Sequence, residues 1–352
     1  MYVNDRLKKI NRVNIKTGRD KFIRLDQNEN LQGIPNKILR KCIRKINSNI
    51  IGMYPDESEF LKIYSNFLNI PADNISLTNG SVVAMDYIFK VFGEPDKDLL
   101  CVTPTFGMYK LYANMVGLNI VTIEYDEDHK INVDKFISKI NKNTSIISIV
   151  NPNMPIGDVY KDEDLRRILN KALEFDSIVI LDEAYYHFCG MSCMDLLKDY
   201  KNLIILRTFS KMLAIAGLRL GVVLSNADVI KYINTYKPHY TVNALTLLFA
   251  TEIIKNYSYV YKKLCRGFER GRDYLVGKLT EFDYEFIPTN SCHMCVFPKN
   301  KTCGEVVQGL RDRGILVFEG KDETQGMIRV TITKLKYMKK FISAMLEVDV
   351  GE

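Results

Sequence analysis

Between about residue 50 and residue 225, short runs rich in β-branched residues alternate with stretches of helical apolar spacing, and nothing else limits the fold of this chain so much. The runs are Ile75-Ser-Leu-Thr78, Leu99-Leu-Cys-Val102, Ile120-Val-Thr-Ile123, Ser145-Ile-Ile-Ser-Ile-Val150, Ser177-Ile-Val-Ile-Leu181, Leu203-Ile-Ile-Leu206 and one ending Gly221-Val-Val-Leu224. Between them, Val82, Met85, Ile88, Phe89 and Phe92 mark one helix face, and further helices are predicted at about 108–115 and 164–174. Strands interleaved with helices in this way predict an α/β fold, a mostly parallel seven-stranded sheet covered on both faces.

Beyond Ser225 the rhythm changes. A long helical stretch from about Val242 to Leu279 is predicted, then the segment Phe282 to Phe297, strand-like from Ser291, a helix near 303–313, strands at Ile315–Phe318 and Met327–Ile332, and a last helix. The reading is a large α/β domain over 41–245, a smaller α+β domain over 246–352, and an N-terminal arm, 1–40, packed on the smaller one. With 352 residues, 47% of them hydrophobic, the chain can bury a core of that size.

In an open α/β sheet, ligands bind beyond the carboxyl ends of the strands. Those ends deliver, in order, Gly80-Ser81, Thr103-Pro-Thr-Phe106, Asn151-Pro-Asn-Met-Pro-Ile-Gly157, Asp182-Glu-Ala-Tyr185 and Ser210-Lys211. Taken singly, Asp182 could cap a helix, Tyr185 could be core and Gly80-Ser81 an ordinary turn. Taken together they suit a pyridine aldehyde that carries a phosphate. Lys211, at a strand end among apolar residues, is placed to be neutral and to condense with a carbonyl. Asp182 would keep a ring nitrogen protonated, Tyr185 would donate to a ring oxygen, and Phe106 would lie on the ring face. The amides of Gly80, Ser81 and Val82 at a helix start, with Ser210 and Arg219, would hold the phosphate.

The remaining composition excludes several classes. The 49 basic and 42 acidic residues leave +7, without a basic block interleaved with aromatics, so no nucleic-acid track is expected. There is no signal-peptide pattern and no run of about 18 apolar residues, so neither export nor a membrane span is expected. Eight cysteines in a chain of this length suit a reduced cytoplasm. Cys292 and Cys295 stand three apart in strand-like sequence and so face opposite sides, and no metal site is expected.

These residues carry a resemblance. The chain resembles the fold-type I pyridoxal-phosphate aminotransferases, within them the histidinol-phosphate aminotransferase-like group. The matching stretches are Asn28-Glu-Asn30 with Gly33, Tyr54-Pro-Asp56, Asn79-Gly-Ser81, Pro104 to Tyr109, Asn153 to Gly157, Asp182 to Tyr185, Ser210-Lys211, Ala216 to Gly221 and Ile328 to Thr331. The resemblance implies pyridoxal 5'-phosphate as cofactor and Lys211, Asp182 and Tyr185 as its catalytic partners, with Asn153 among the cofactor-binding residues. It implies a homodimer in which Tyr54 reaches the partner's cofactor phosphate, Arg329 as the residue that takes the substrate's anionic group, and Asn28, Glu29 and Asn30 at the substrate pocket.

Three positions depart from the family pattern. Met154 and Ile156 replace the asparagine and threonine of the usual Asn-Pro-Thr-Gly, and methionine cannot donate a hydrogen bond to the ring oxygen. The bound imine is therefore expected to stay protonated to higher pH, unless Asn153 takes over. Val82-Val83 replace acidic residues, and Phe318 stands where histidinol-phosphate enzymes carry an arginine for the substrate phosphate.

The expected activity is transamination between an amino-acid donor and a small, in some members phosphorylated, amine or keto substrate. One alternative is decarboxylation of a phosphorylated amino acid, which uses the same residues. Another is a cofactor-sensing regulator, but such regulators carry an N-terminal DNA-binding domain, and about twenty-five residues before the first motif are too few for one.

Overall fold

The computed structural model describes residues 1, 3, 5–8 and 18–351. Seven strands form the main sheet: β1 (Ile75–Thr78), β2 (Asp98–Thr103), β3 (Asn119–Glu124), β4 (Thr144–Val150), β5 (Ile178–Asp182), β6 (Leu203–Thr208) and β7 (Gly221–Leu224). Their order is β1-β7-β6-β5-β4-β2-β3, and only β7 runs against its neighbours. The expected mostly parallel sheet is present.

Both faces of this sheet are apolar, which is why its inner strands read as unbroken hydrophobic runs. Leu100, Val102, Ile147, Ile149, Val179 and Leu181 pack into one buried layer. Their alternating neighbours Leu99, Cys101, Ile146, Val150, Ile180 and Leu206 pack into the other. Register then gathers the chemistry at one end: Gly221 pairs with both Thr78 and Thr208, and Asp182 lies between Val150 and Leu206.

A second, antiparallel sheet contains β8 (Phe286–Ile287), β9 (His293–Val296), β10 (Phe318–Glu319) and β11 (Ile328–Thr331), in the order β10-β11-β9-β8. Here Arg329 stands between Cys295 and Phe318, and His293 opposite Thr331. Its apolar cluster includes Leu25 from the N-terminal segment and Tyr185 from the turn after β5. Leu25 accepts a hydrogen bond from the Thr331 amide and donates to Leu316, which ties residues 25–30 across both strands.

Two sequence expectations are corrected. The strand at Ile315–Phe318 is divided: Ile315–Leu316 pair in parallel with Ile23–Arg24, whereas Phe318 pairs with Arg329 in the other sheet. The helical stretch 242–279 is two helices, Ala244–Lys255 and Tyr257–Glu281, separated at Asn256, whose backbone leaves the helical region at φ −124° and ψ 28°. Among the described residues no helix is long and apolar enough to cross a membrane.

Candidate active site

The turn after β1 and the approach to β7 make a cradle for an anion. Gly80 opens the helix α1 (Ser81–Phe92) at φ 86°, a conformation that glycine adopts without strain. The first amides to bond back are Val83 and Ala84, both to the Gly80 carbonyl, which leaves those of Ser81 and Val82 ahead of the helical ladder. Arg219 lies against this turn so closely that a Cβ built on Gly80 would stand 2.3 Å from its Nη2. Nη1 of the same arginine donates to Ser210 Oγ at 3.3 Å and to the Ala216 carbonyl at 3.2 Å. Gly80, Ser81, Val82, Ser210 and Arg219 are thus brought together, and α1 directs its positive end at the space they frame.

Lys211 follows β6 by three residues and is half-buried, its Nζ donating to the Gln27 carbonyl at 3.1 Å. Burial lowers the pKa of its amine; Arg329 and Arg219 push the same way, against Cys292 and Glu29. Asp182, at the end of β5, is buried; Oδ2 accepts from the Tyr109 hydroxyl at 2.9 Å and Oδ1 from the Ala184 amide at 3.0 Å. Burial pushes its carboxyl up to about 6, although Tyr109, Ala184 and Lys211 all favour the charged form. The Tyr185 ring lies 5.7 Å from Lys211 Nζ, and its hydroxyl accepts from Asn28 Nδ2 at 2.9 Å. Phe106 is partly buried, edge-on to Tyr109 at 6.4 Å.

Arg329 closes the other side. Nη2 donates to the Asp26 carbonyl at 2.7 Å, Nη1 meets Met154 Sδ at 2.8 Å, and the buried Nε has no hydrogen-bond partner. Phe318 covers the guanidinium, ring centroid to Cζ 4.5 Å. Two of the positions singled out by sequence, Met154 and Phe318, therefore meet at one arginine.

The remaining sequence-predicted residues are placed as follows. Asn153 is buried with its amide donating to the Pro104 carbonyl and Tyr125 hydroxyl and accepting from Thr105, so its side chain holds neighbouring loops together. Glu29 pairs with Arg19 at 3.0 Å and Arg24 at 3.3 Å, and Asn30 donates to the Met212 carbonyl at 2.9 Å. Asn28, Glu29, Asn30 and Lys211 share one recess with Cys292 and Thr331. Tyr54 is 80% exposed and stacks on Tyr240 at 4.5 Å. Cys292 and Cys295 fall in different buried clusters. Sequence reasoning assigned no role to Tyr109, within the motif from Pro104, or to His293; an aromatic on a buried helix face and a histidine in a strand give no signal of their partners.

The chain matches the family model described as aminotransferase class I and II over residues 20–345. It is 30% identical over 330 residues, 92% of each chain, to a histidinol-phosphate aminotransferase of Caldanaerobacter subterraneus subsp. tengcongensis. Its fold is similar to the histidinol-phosphate aminotransferase of Sinorhizobium meliloti solved with pyridoxal-5'-phosphate, at TM-score 0.89, 18% identity and 99% and 98% coverage of the two chains. It is also similar to an L-threonine-O-3-phosphate decarboxylase of Porphyromonas gingivalis, at TM-score 0.79, 22% identity and 94% and 100% coverage.

Proposed function

The chain belongs to the class I and II aminotransferases, with pyridoxal phosphate as cofactor, and from that premise we propose that it moves an amino group between an amino-acid donor and a small anionic amine or keto partner. The observation that carries the anionic partner is the buried Arg329 with its unpartnered Nε, near enough to Lys211 for its charge to help lower that amine's pKa.

The residues present suit the cofactor. Because Gly80 has no Cβ, the Arg219 guanidinium can lie against it, and with Ser210 and the Ser81 and Val82 amides it makes a donor set suited to a phosphate. Pyridoxal phosphate, when bound, supplies an aldehyde for amines and a ring that accepts electrons from the substrate's Cα. Asp182 keeps a negative charge ready for the ring nitrogen, with Tyr109 and the Ala184 amide opposing its neutralisation. Tyr185 presents its hydroxyl for the ring oxygen. Lys211 Nζ, its pKa lowered by burial, would take the proton from the donor's Cα and deliver it to the carbon that carried the cofactor's aldehyde. Arg329 orients the substrate through its anionic group.

The relatives' name makes histidinol phosphate the first substrate to test, and Phe318, which puts a ring where a second guanidinium is expected, is the residue against it. We further propose a cytoplasmic homodimer, with a large domain over 41–245 and a smaller one over 246–352. The exposed stack of Tyr54 on Tyr240, beside exposed Ile51 and Met53, is the surface a second copy would cover. Amino donors, then keto acceptors and histidinol phosphate, should be screened through the absorption of the cofactor. Conversion to the pyridoxamine form by a donor, lost in Lys211→Ala, is expected. Release of carbon dioxide without a keto acid would replace this reading with decarboxylation.

A further inference from the structure

One hydrogen-bond chain beside the site can be followed from a group of fixed polarity. The Pro155 carbonyl oxygen can only accept, and it stands 3.0 Å from Nε2 of His293, so Nε2 carries a hydrogen. His293 is fully buried, and burial, with Arg329 and Lys211 nearby, holds its pKa well below the ordinary value. The ring is therefore neutral and Nδ1 is an acceptor. Two groups able to donate share its one lone pair, Ser291 Oγ at 3.1 Å and Asn28 Nδ2 at 3.3 Å. The same Asn28 nitrogen lies 2.9 Å from the Tyr185 hydroxyl, and a primary amide has one hydrogen for each. The orientation of the Asn28 amide follows from the histidine tautomer, which sets Nδ2 and not Oδ1 against the Nδ1 acceptor; Oδ1 then lies 3.3 Å from Thr331 Oγ1, whose own hydrogen goes to the Leu25 carbonyl at 2.9 Å. Tyr185 accepts from Asn28, so its own hydrogen is free to be given elsewhere.

We propose that His293 is a positioning residue: acting through Asn28, it commits the Tyr185 hydroxyl to donate into the cofactor site. The inference rests on the reading above, in which Lys211 binds pyridoxal phosphate. Met154 gives it weight, because a thioether cannot supply the donor that the family places there and Asn153 is engaged elsewhere. Tyr185 is then left to stabilise the charge on the ring oxygen, and the direction of its hydrogen matters more. The charged and titratable groups that face Tyr185 are Lys211, Asp182, Cys292, Arg329 and His293, whose ring stands edge-on at 5.3 Å.

The test uses the pH midpoint of the visible absorption change of the cofactor-loaded protein, which falls when a donor stabilises the ring oxygen's negative charge. His293→Leu and Asn28→Ala should each move that midpoint upward by about one unit, the effect of one hydrogen bond. His293→Asn, whose Oδ1 can take the place of Nδ1, should return it towards the parent value. Nitrogen-15 NMR of the cofactor-free protein with labelled histidine should find His293 as the neutral Nε2–H tautomer. An unmoved midpoint in Asn28→Ala and in the His293 variants that fold, or an Nδ1–H or charged ring, overturns the inference alone. If pyridoxal phosphate gives no visible band with the parent protein, or an equal one with Lys211→Ala, the functional reading fails and takes the inference with it.

Discussion

Phe318 lies over the guanidinium of Arg329, Cζ 4.5 Å from the ring centroid, because the register of β10 on β11 sets the two residues opposite each other. Such a contact is worth about 0.5–2 kcal/mol and shields one face of the cation. On that face a doubly charged group meets the Phe318 ring and not a second guanidinium. Phe318→Arg should therefore lower KM for a phosphorylated amine by about tenfold or more, one charge-assisted hydrogen bond being worth roughly 1.5–3 kcal/mol. KM for a singly charged amino acid should not fall. Steady-state kinetics with both substrates check this, and an equal gain for both would contradict it.

The bond from Tyr109 to Asp182 Oδ2 favours the ionised carboxyl that burial disfavours. Tyr109→Phe removes the donor and leaves the ring. The carboxyl's pKa, already about 6, should rise by roughly one unit more, the worth of one hydrogen bond. Cofactor binding that depends on the charged form is lost as pH falls through this value, so its acidic limb should move to higher pH. Titrating the cofactor-free variant with pyridoxal phosphate across pH 5 to 8, about the span of these values, measures the shift.

The parts of this site that could be read from sequence share one property: each sits at the end of a strand, where the sheet topology orders them without knowledge of any contact. Gly80, Asp182 and Lys211 are of that kind, and the seven apolar runs that precede such ends were visible because the inner strands are buried on both faces. Tyr109, His293 and the covering of Arg329 are not. Tyr109 reaches Asp182 across 73 residues of chain, and His293 reaches Asn28 across 265. Both depend on register and helix rotation, which composition does not encode. The division of 315–318 between two sheets escaped for the same reason, since four consecutive apolar residues look like one strand whichever partners they take.

Gly80→Ala combines two penalties. At φ 86° an L residue costs about 1–2 kcal/mol, and the new methyl would stand 2.3 Å from Arg219 Nη2, forcing the guanidinium out of the cradle. Cofactor affinity should fall at least about tenfold, the loss of one charge-assisted contact to phosphate. Gly277, inside the helix Tyr257–Glu281 with nothing within 4 Å of an added Cβ, is the control. Gly277→Ala should leave cofactor affinity unchanged and stabilise the protein by up to about 1 kcal/mol. Equilibrium titration with pyridoxal phosphate and urea unfolding separate the two effects.

Asp182 also costs the cofactor-free protein stability, and the sign can be worked out. Its carboxyl is raised from the ordinary 3.8 to about 6, chiefly by burial. Between those values the folded chain holds a proton that the unfolded chain has lost, so stability falls as pH rises through that window and the deficit is complete above it. A shift of that size corresponds to about 3 kcal/mol. Asp182→Asn keeps the shape and can still accept from the Ala184 amide, but carries no charge. Without cofactor, the variant should be more stable than the parent by up to about 3 kcal/mol at pH 8 and no more stable at pH 3, below both values. With cofactor, it should lose transamination, because nothing then holds the ring nitrogen's proton. Urea unfolding of the cofactor-free proteins at the two pH values is the measurement. An equal difference at both would show that the charge of Asp182 is not what the fold is carrying.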